Sequence, residues 1–126
     1  VRGAVDRVCE IDGQVALIDY KTNSTLDPTL LDAYALQLRI YGMAAHRGLL
    51  PGGREPRLIL YDLRQGQTHE FAADDAFVEA RIRLVSERIA AGDFRLGPEH
   101  EQRRCDLCAY RPICPDARNL DARKVL

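Results

Sequence analysis

Asp12-Gly13, set between two short apolar runs, constrains the fold of this chain more than any other pair of residues. A two-residue hairpin loop of type I′ needs positive φ at both central positions, and Asp-Gly meets that need. Residues 4–11 and 14–21, rich in Val, Ile, Leu and Ala, are therefore predicted to be the two strands of one antiparallel hairpin. With a two-residue loop, Ile11 pairs with Gln14. Counting outward sets Glu10 against Val15, Cys9 against Ala16, Val8 against Leu17, and Asp6 against Asp19. Side chains alternate along a strand, so Lys21 shares a face with Asp19. Directly opposed residues hold their Cβ atoms about 4.5–5.5 Å apart. One face of the hairpin thus carries Asp6, Asp19 and Lys21.

Two carboxylates opposed in an apolar hairpin repel each other, and a shared proton, a basic neighbour or a bound cation must compensate. Mg²⁺ suits such a pair, because it prefers oxygen ligands and is held by few carboxylates plus waters. Lys21 beside that ion would position a water or stabilise developing phosphoryl charge. The other reading is a structural salt bridge between Lys21 and the two aspartates, and spacing leaves both open. Lys21 and Lys124 are the only lysines among 18 basic residues, so a lysine at this strand position stands out.

Past the hairpin, residues 22–28 read as a loop and 29–47 as a helix, with Asp27 or Thr29 as cap and Pro28 in the first turn. Gly48 and Pro51-Gly52-Gly53 end it. Strands follow at 57–63 and 67–72, joined by Arg64-Gln65-Gly66. A second helix starts at Asp74 or Asp75 and runs to about residue 91, where Gly92 stops it; Phe77, Leu84, Val85 and Ile89 form its apolar stripe. The order β-β-α-β-β-α implies an α/β or α+β sheet with helices packed on it. The 126 residues are expected to be a single domain, 1–126, ending in an irregular cysteine-bearing segment, 93–126.

A hydrophobic fraction of 46% and a charged fraction of 29% are ordinary for a soluble globular protein. No apolar run is long enough to cross a bilayer. No secretory signal is present, so a cytoplasmic, reducing location is expected. The chain opens directly on strand-like sequence and is expected to be an N-terminally truncated piece of a larger protein. A net charge of -1 offers no global attraction to nucleic acid, so partner domains would have to hold it.

Four cysteines are present: Cys9, Cys105, Cys108 and Cys114. Cys9 sits mid-strand among apolar residues, as a core thiol does. The spacing Cys105-x₂-Cys108-x₅-Cys114-Pro115 suits thiolate ligation of zinc or an iron–sulfur cluster, and one reading is a zinc-binding interaction module. Arg103, Arg104 and Arg111 interleave with these thiols, as DNA-phosphate contacts or as solvated charges balanced by Glu101 and Asp106.

Gly3-Ala4-Val5-Asp6-Arg7, then Leu17-Ile18-Asp19-Tyr20-Lys21-Thr22, then Gln37 with Tyr41 stand in order along residues 3–41. Together they resemble the RecB-like branch of the PD-(D/E)XK nucleases, whose signature is similar to G-x-x-D-R, D-Y-K and Q-x-x-x-Y. The resemblance implies a restriction-endonuclease-like mixed β-sheet flanked by helices. It implies a Mg²⁺- or Mn²⁺-dependent DNA exonuclease or endonuclease, partnered with a helicase domain or subunit in repair or recombination. Asp6, Asp19 and the Tyr20 backbone carbonyl would ligate the metal, and Lys21 would orient the water. Gln37 and Tyr41, four apart and hence on one helical face, would fix Lys21 or the scissile phosphate. Arg7, on the opposite strand face, would pair with a covering helix. Related proteins carry a metal-proximal histidine upstream of the first strand, which His46, His69 and His100 do not match. Several such proteins also hold a 4Fe–4S cluster, for which Cys105, Cys108 and Cys114 would supply three ligands and a cysteine before Val1 the fourth. The contrasting expectation is a non-catalytic scaffold on the same fold, binding DNA or a cluster.

Overall fold

β1 (Arg7–Ile11) and β2 (Gln14–Lys21) form the antiparallel hairpin that Asp12-Gly13 demands. In the computed structural model Asp12 lies at φ 54° and Gly13 at φ 77°, both in the left-handed region that a type I′ turn requires. The register runs Ile11↔Gln14, Cys9↔Ala16 and Arg7↔Ile18 without a bulge, as counted from the loop. The structure describes residues 3–23, 26–50, 55–94, 105 and 108–114. Contacts divide the chain into two units, Val1–Leu84 and Val85–Leu126.

In the first unit the chain leaves β2 into α1 (Pro28–His46). Asp27 is its cap: the carboxylate accepts from Leu30 N at 2.9 Å, and Pro28 occupies the first turn, where no amide donor is needed. The helix ends in a Schellman arrangement. Leu49 N donates to Ala44 O at 2.8 Å and Gly48 N to Ala45 O at 2.9 Å, with Gly48 at φ 73°. α1 is the crossover that lets β3 (Arg57–Asp62) lie parallel to β2, since parallel neighbours cannot be joined by a tight turn. β4 (Gln67–Phe71) then returns antiparallel to β3, giving a four-stranded mixed sheet of order β1-β2-β3-β4. This is the α+β architecture expected from the sequence.

Leu17, Leu58 and Leu60 from the sheet and Leu38, Tyr41 and Ala45 from α1 make the buried core between them. Helix and sheet approach closely at Gly42, where an added Cβ would stand 3.1 Å from Leu58 Cδ1. The other sheet face gathers Ala16, Ile18 and Ile59, flanked by Cys9, Ile11, Tyr20 and Tyr61. The Tyr20 and Tyr61 rings meet edge to face at 6.0 Å, a favoured aromatic geometry.

α2 (Asp75–Ala90) crosses from the first unit into the second. Asp74 caps it through Phe77 N at 2.9 Å. Its first turns are tied to the end of α1 by His46 Nδ1 to Asp75 at 3.0 Å and by an Arg47–Glu79 ion pair. The predicted apolar stripe takes no part in this: Val78 is buried, whereas Phe77, Leu84, Val85 and Ile89 are exposed. Periodicity marks a stripe but does not say which side tertiary contacts cover. Phe77 instead lies under the Arg39 guanidinium at 5.5 Å. In the second unit Gly92, at φ 64°, ends α2 as Gly48 ends α1. A 3-10 turn, Arg111–Ile113, lies between Cys108 and Cys114. Among the described residues no helix is long and apolar enough to cross a membrane.

Leu58→Ala is expected to lower unfolding free energy by about 2–5 kcal/mol in a urea titration. Gly42→Ala should couple to it by at least about 0.5 kcal/mol in a double-mutant cycle, because the smaller residue relieves the crowding the new methyl meets. Additive effects would show that helix and strand do not meet there.

Candidate active site

The site is built where β2 ends. Asp19 lies in an inner strand with β1 on one side and β3 on the other, and is only 3% exposed. Lys21 is the last residue of the same strand, two positions on, so both side chains rise from the face that α1 covers. Lys21 Nζ stands 2.6 Å from Asp19 Oδ2. That distance makes an ion pair, yet Asp19 Oδ2 is buried and has no hydrogen-bond partner of ordinary geometry. The electrostatic pairing stands; the directional bond does not.

α1 completes the arrangement. Gln37 accepts from Lys21 Nζ at 3.5 Å through Oε1, and its amide nitrogen donates to Asp19 Oδ1 at 3.4 Å and to the Tyr41 hydroxyl at 3.0 Å. One amide thus spans the strand's acid, the strand's base and a helix phenol. Gln37 and Tyr41, one helical turn apart, face the sheet as their spacing predicts. Tyr41 is in turn pressed by the chain before β1: a Cβ on Gly3 would stand 2.9 Å from Tyr41 Cε1. A side chain at that position would have to move the phenol.

Asp6 precedes β1, and the register that pairs Arg7 with Ile18 carries Asp6 opposite Asp19. Its carboxylate is exposed and accepts the Tyr20 backbone N–H at 2.9 Å, where a ladder carbonyl would otherwise serve. The salt-bridge alternative is therefore half realised: Lys21 pairs with Asp19, and Asp6 is held by the backbone.

These donors fit a hard divalent cation. A buried carboxylate oxygen with no hydrogen-bond partner is costly to maintain, and Asp19 Oδ2 is such an atom. Asp6 adds a second carboxylate, held to the β2 main chain through the Tyr20 amide, and oxygen donors of this kind are what Mg²⁺ takes. Among the described residues no group of three or more His, Cys, Asp or Glu side chains could hold a metal ion, so protein carboxylates supply two ligands at most.

Sequence reasoning missed Tyr34, its partner Asn23, and Asp62. Tyr34 puts its ring 4.2 Å from Lys21 Nζ and donates from its hydroxyl to Asn23 Oδ1 at 3.0 Å. It lies three residues before Gln37, a helical spacing that marks a shared face. Asp62, 2% exposed and in register with Lys21, accepts from Arg64 N at 2.8 Å and Gln65 N at 3.1 Å, closing the turn into β4.

Other residues weighed from the sequence lie elsewhere. Among the described residues Arg7 forms no salt bridge with a helix carboxylate; Tyr20 and Cys9 beside it raise its pKa further. A strand residue on that face meets its cross-strand neighbours before it meets α1. His46 bonds Asp75, and His69 is part of β4. A depression of about 400 Å³ lined by Gln14, His46, Arg57 and Glu70 contains none of Asp6, Asp19 or Lys21. Its Arg57 and Glu70 satisfy each other at 2.8 and 2.7 Å, which holds the Glu70 carboxyl below its ordinary pKa.

In the second unit Cys105 is buried, Cys108 exposed and Cys114 half-buried, linked by backbone bonds from Cys108 N to Cys105 O and from Cys114 N to Arg111 O. They are not gathered into a metal-holding group among the described residues. His100, Arg103, Arg104 and Asp106 lie outside the described residues.

Gln37→Leu removes the amide shared by Lys21, Asp19 and Tyr41. A loss of about 1–3 kcal/mol in unfolding free energy is expected from the orphaned polar groups, read by urea titration. An unchanged midpoint would mean the amide contributes nothing to the fold.

The model for the PD-(D/E)XK nuclease superfamily matches residues 1–115. The gene 69 protein of Mycobacterium phage L5 is 31% identical over 91% of this chain and 39% of its own length. The gene 69 protein of Mycobacterium phage D29 is 30% identical over 91% of this chain and 42% of its own length. The chain thus spans about two fifths of these relatives. No solved structure matches it significantly. With the match covering the sheet, α1 and every residue of the Asp6–Asp19–Lys21–Gln37 constellation, the chain belongs to the PD-(D/E)XK nuclease superfamily.

Proposed function

We propose that this chain hydrolyses DNA phosphodiester bonds with Mg²⁺ or Mn²⁺ held by Asp6, Asp19 and the Tyr20 carbonyl. The observation that carries the reading is the buried, hydrogen-bond-free Oδ2 of Asp19 with the Lys21 ammonium 2.6 Å away. A divalent ion there would supply Lewis acidity and lower the pKa of a bound water. The protein's own groups do the rest. Asp19 is fixed by its strand and by Gln37; Asp6 is fixed by the Tyr20 amide. The Lys21 ammonium holds the attacking water by hydrogen bonding and offsets negative charge growing on the phosphoryl oxygens. Gln37 bridges that ammonium and carboxylate, and its amide nitrogen also donates to the Tyr41 hydroxyl.

The three sequence signatures support the RecB-like branch of the superfamily, in which the domain would act beside a helicase domain or subunit in DNA repair or recombination. A helicase partner would show as ATP-dependent, processive degradation by the full-length protein. An iron–sulfur cluster on Cys105, Cys108 and Cys114 enters no step here; iron and acid-labile sulfide measured per full-length chain test that expectation. Zinc in their place would favour the interaction-module reading.

In the full-length protein Asp19→Ala and Lys21→Ala should each lower Mg²⁺- or Mn²⁺-dependent DNA cleavage by at least about 10²-fold in kcat. Undiminished cutting by both variants sinks the proposal. Mn²⁺ should also raise the melting temperature of the wild type, since a ligand bound by the folded state alone stabilises it. Asp19→Ala should abolish that shift, and a metal-independent melt of the wild type would favour the scaffold reading.

A further inference from the structure

We propose that Tyr34 is a positioning residue for Lys21: its ring face, anchored by Asn23, holds the ammonium over the site. The inference rests on the nuclease reading above and deepens it. Lys21 is carried on a four-carbon stem with several rotatable bonds, so a strand position alone does not fix where Nζ lies. Three groups bound it: Asp19 Oδ2 at 2.6 Å, Gln37 Oε1 at 3.5 Å and the Tyr34 ring at 4.2 Å.

These three are not equivalent. Asp19 Oδ2 is the atom best suited to a cation, and once it serves one it no longer holds Lys21 as tightly. The Gln37 contact is long for a hydrogen bond and shares its amide with two other partners. The aromatic face attracts the ammonium through its quadrupole and offers no lone pair that competes for the metal. It leaves N–H donors available to a water or a phosphate oxygen.

The ring is itself held at both ends. Its backbone belongs to α1, its body packs against the core, and its hydroxyl donates to Asn23 Oδ1 at 3.0 Å. Asn23 follows Lys21 by two residues, so the loop leaving β2 ties the aromatic to the lysine it covers. Tyr34, Gln37 and Tyr41 occupy i, i+3 and i+7 of one helix face. One rigid element therefore sets all three groups over the end of β2.

The test uses the full-length protein with Tyr34→Leu, Tyr34→Phe and a series of fluorinated phenylalanines at position 34. Fluorination drains the π face while barely changing ring volume. Tyr34→Leu should lower kcat about tenfold with KM unchanged, and Tyr34→Phe should restore most of it. Across the fluorinated series kcat should fall stepwise with fluorine number. Independently of cutting, the Lys21 ε-protons should show an upfield ring-current shift by NMR in the metal-free wild type and in Tyr34→Phe, and lose it in Tyr34→Leu. A ring-current shift together with wild-type kcat in Tyr34→Leu, or no dependence on fluorination, would overturn the positioning role and leave the nuclease reading standing. Absence of the shift in the wild type overturns the contact itself. A shift in a wild type that does not cut DNA overturns the nuclease reading, and the positioning role with it.

Discussion

A carboxylate buried in an inner strand is expensive, and Asp19 is the residue around which the first unit is arranged. Charged groups leave water only when partners replace it. Here the replacement comes from two directions: the Lys21 ammonium from the same strand and the Gln37 amide from α1. Neither satisfies Oδ2 with a directed hydrogen bond. The fold therefore keeps one strong, buried acceptor without a directed hydrogen bond, in surroundings where electrostatic interactions are amplified relative to water.

That arrangement depends on how α1 is seated. The helix must cross from the end of β2 to the start of β3 and lie close enough for Gln37 to reach the strand. Asp27 sets its start, Gly48 its stop, and Gly42 lets it approach Leu58. The same face then delivers Tyr34, Gln37 and Tyr41 above Lys21 and Asp19. The leucine-rich core beneath them excludes water from one side of the constellation and restrains the helix from rotating away. Asp19 and Lys21 on β2 sit near its carboxyl end, and Asp62 ends the neighbouring parallel strand, the side where open sheets commonly bind ligands.

Much of this was legible from local signals. Asp12-Gly13 dictated the loop, the loop dictated the register, and the register brought Asp6 opposite Asp19; none of these steps needs information from distant residues. The cap at Asp27 and the stops at Gly48 and Gly92 were equally local. The α2 stripe was misleading for the converse reason. Phe77, Leu84, Val85 and Ile89 have helical spacing, but which side of a helix is covered depends on partners far away in sequence. Arg7 illustrates the same limit, having Tyr20 and Cys9 as neighbours where a helix carboxylate was expected.

The sequence by itself therefore determined the hairpin, the β-β-α-β-β-α order and the presence of two acids and a lysine on one strand face, because period-2 alternation and a type I′ loop leave little choice. Tertiary structure alone decided which lysine contacts exist. It paired Lys21 with Asp19 and left Asp6 to the Tyr20 amide, and it brought Tyr34 and Gln37 from α1 onto the ammonium. The physical reason is that strand geometry specifies where a side chain starts. A long flexible side chain ends wherever packing from another element leaves it a charge, an amide or an aromatic face.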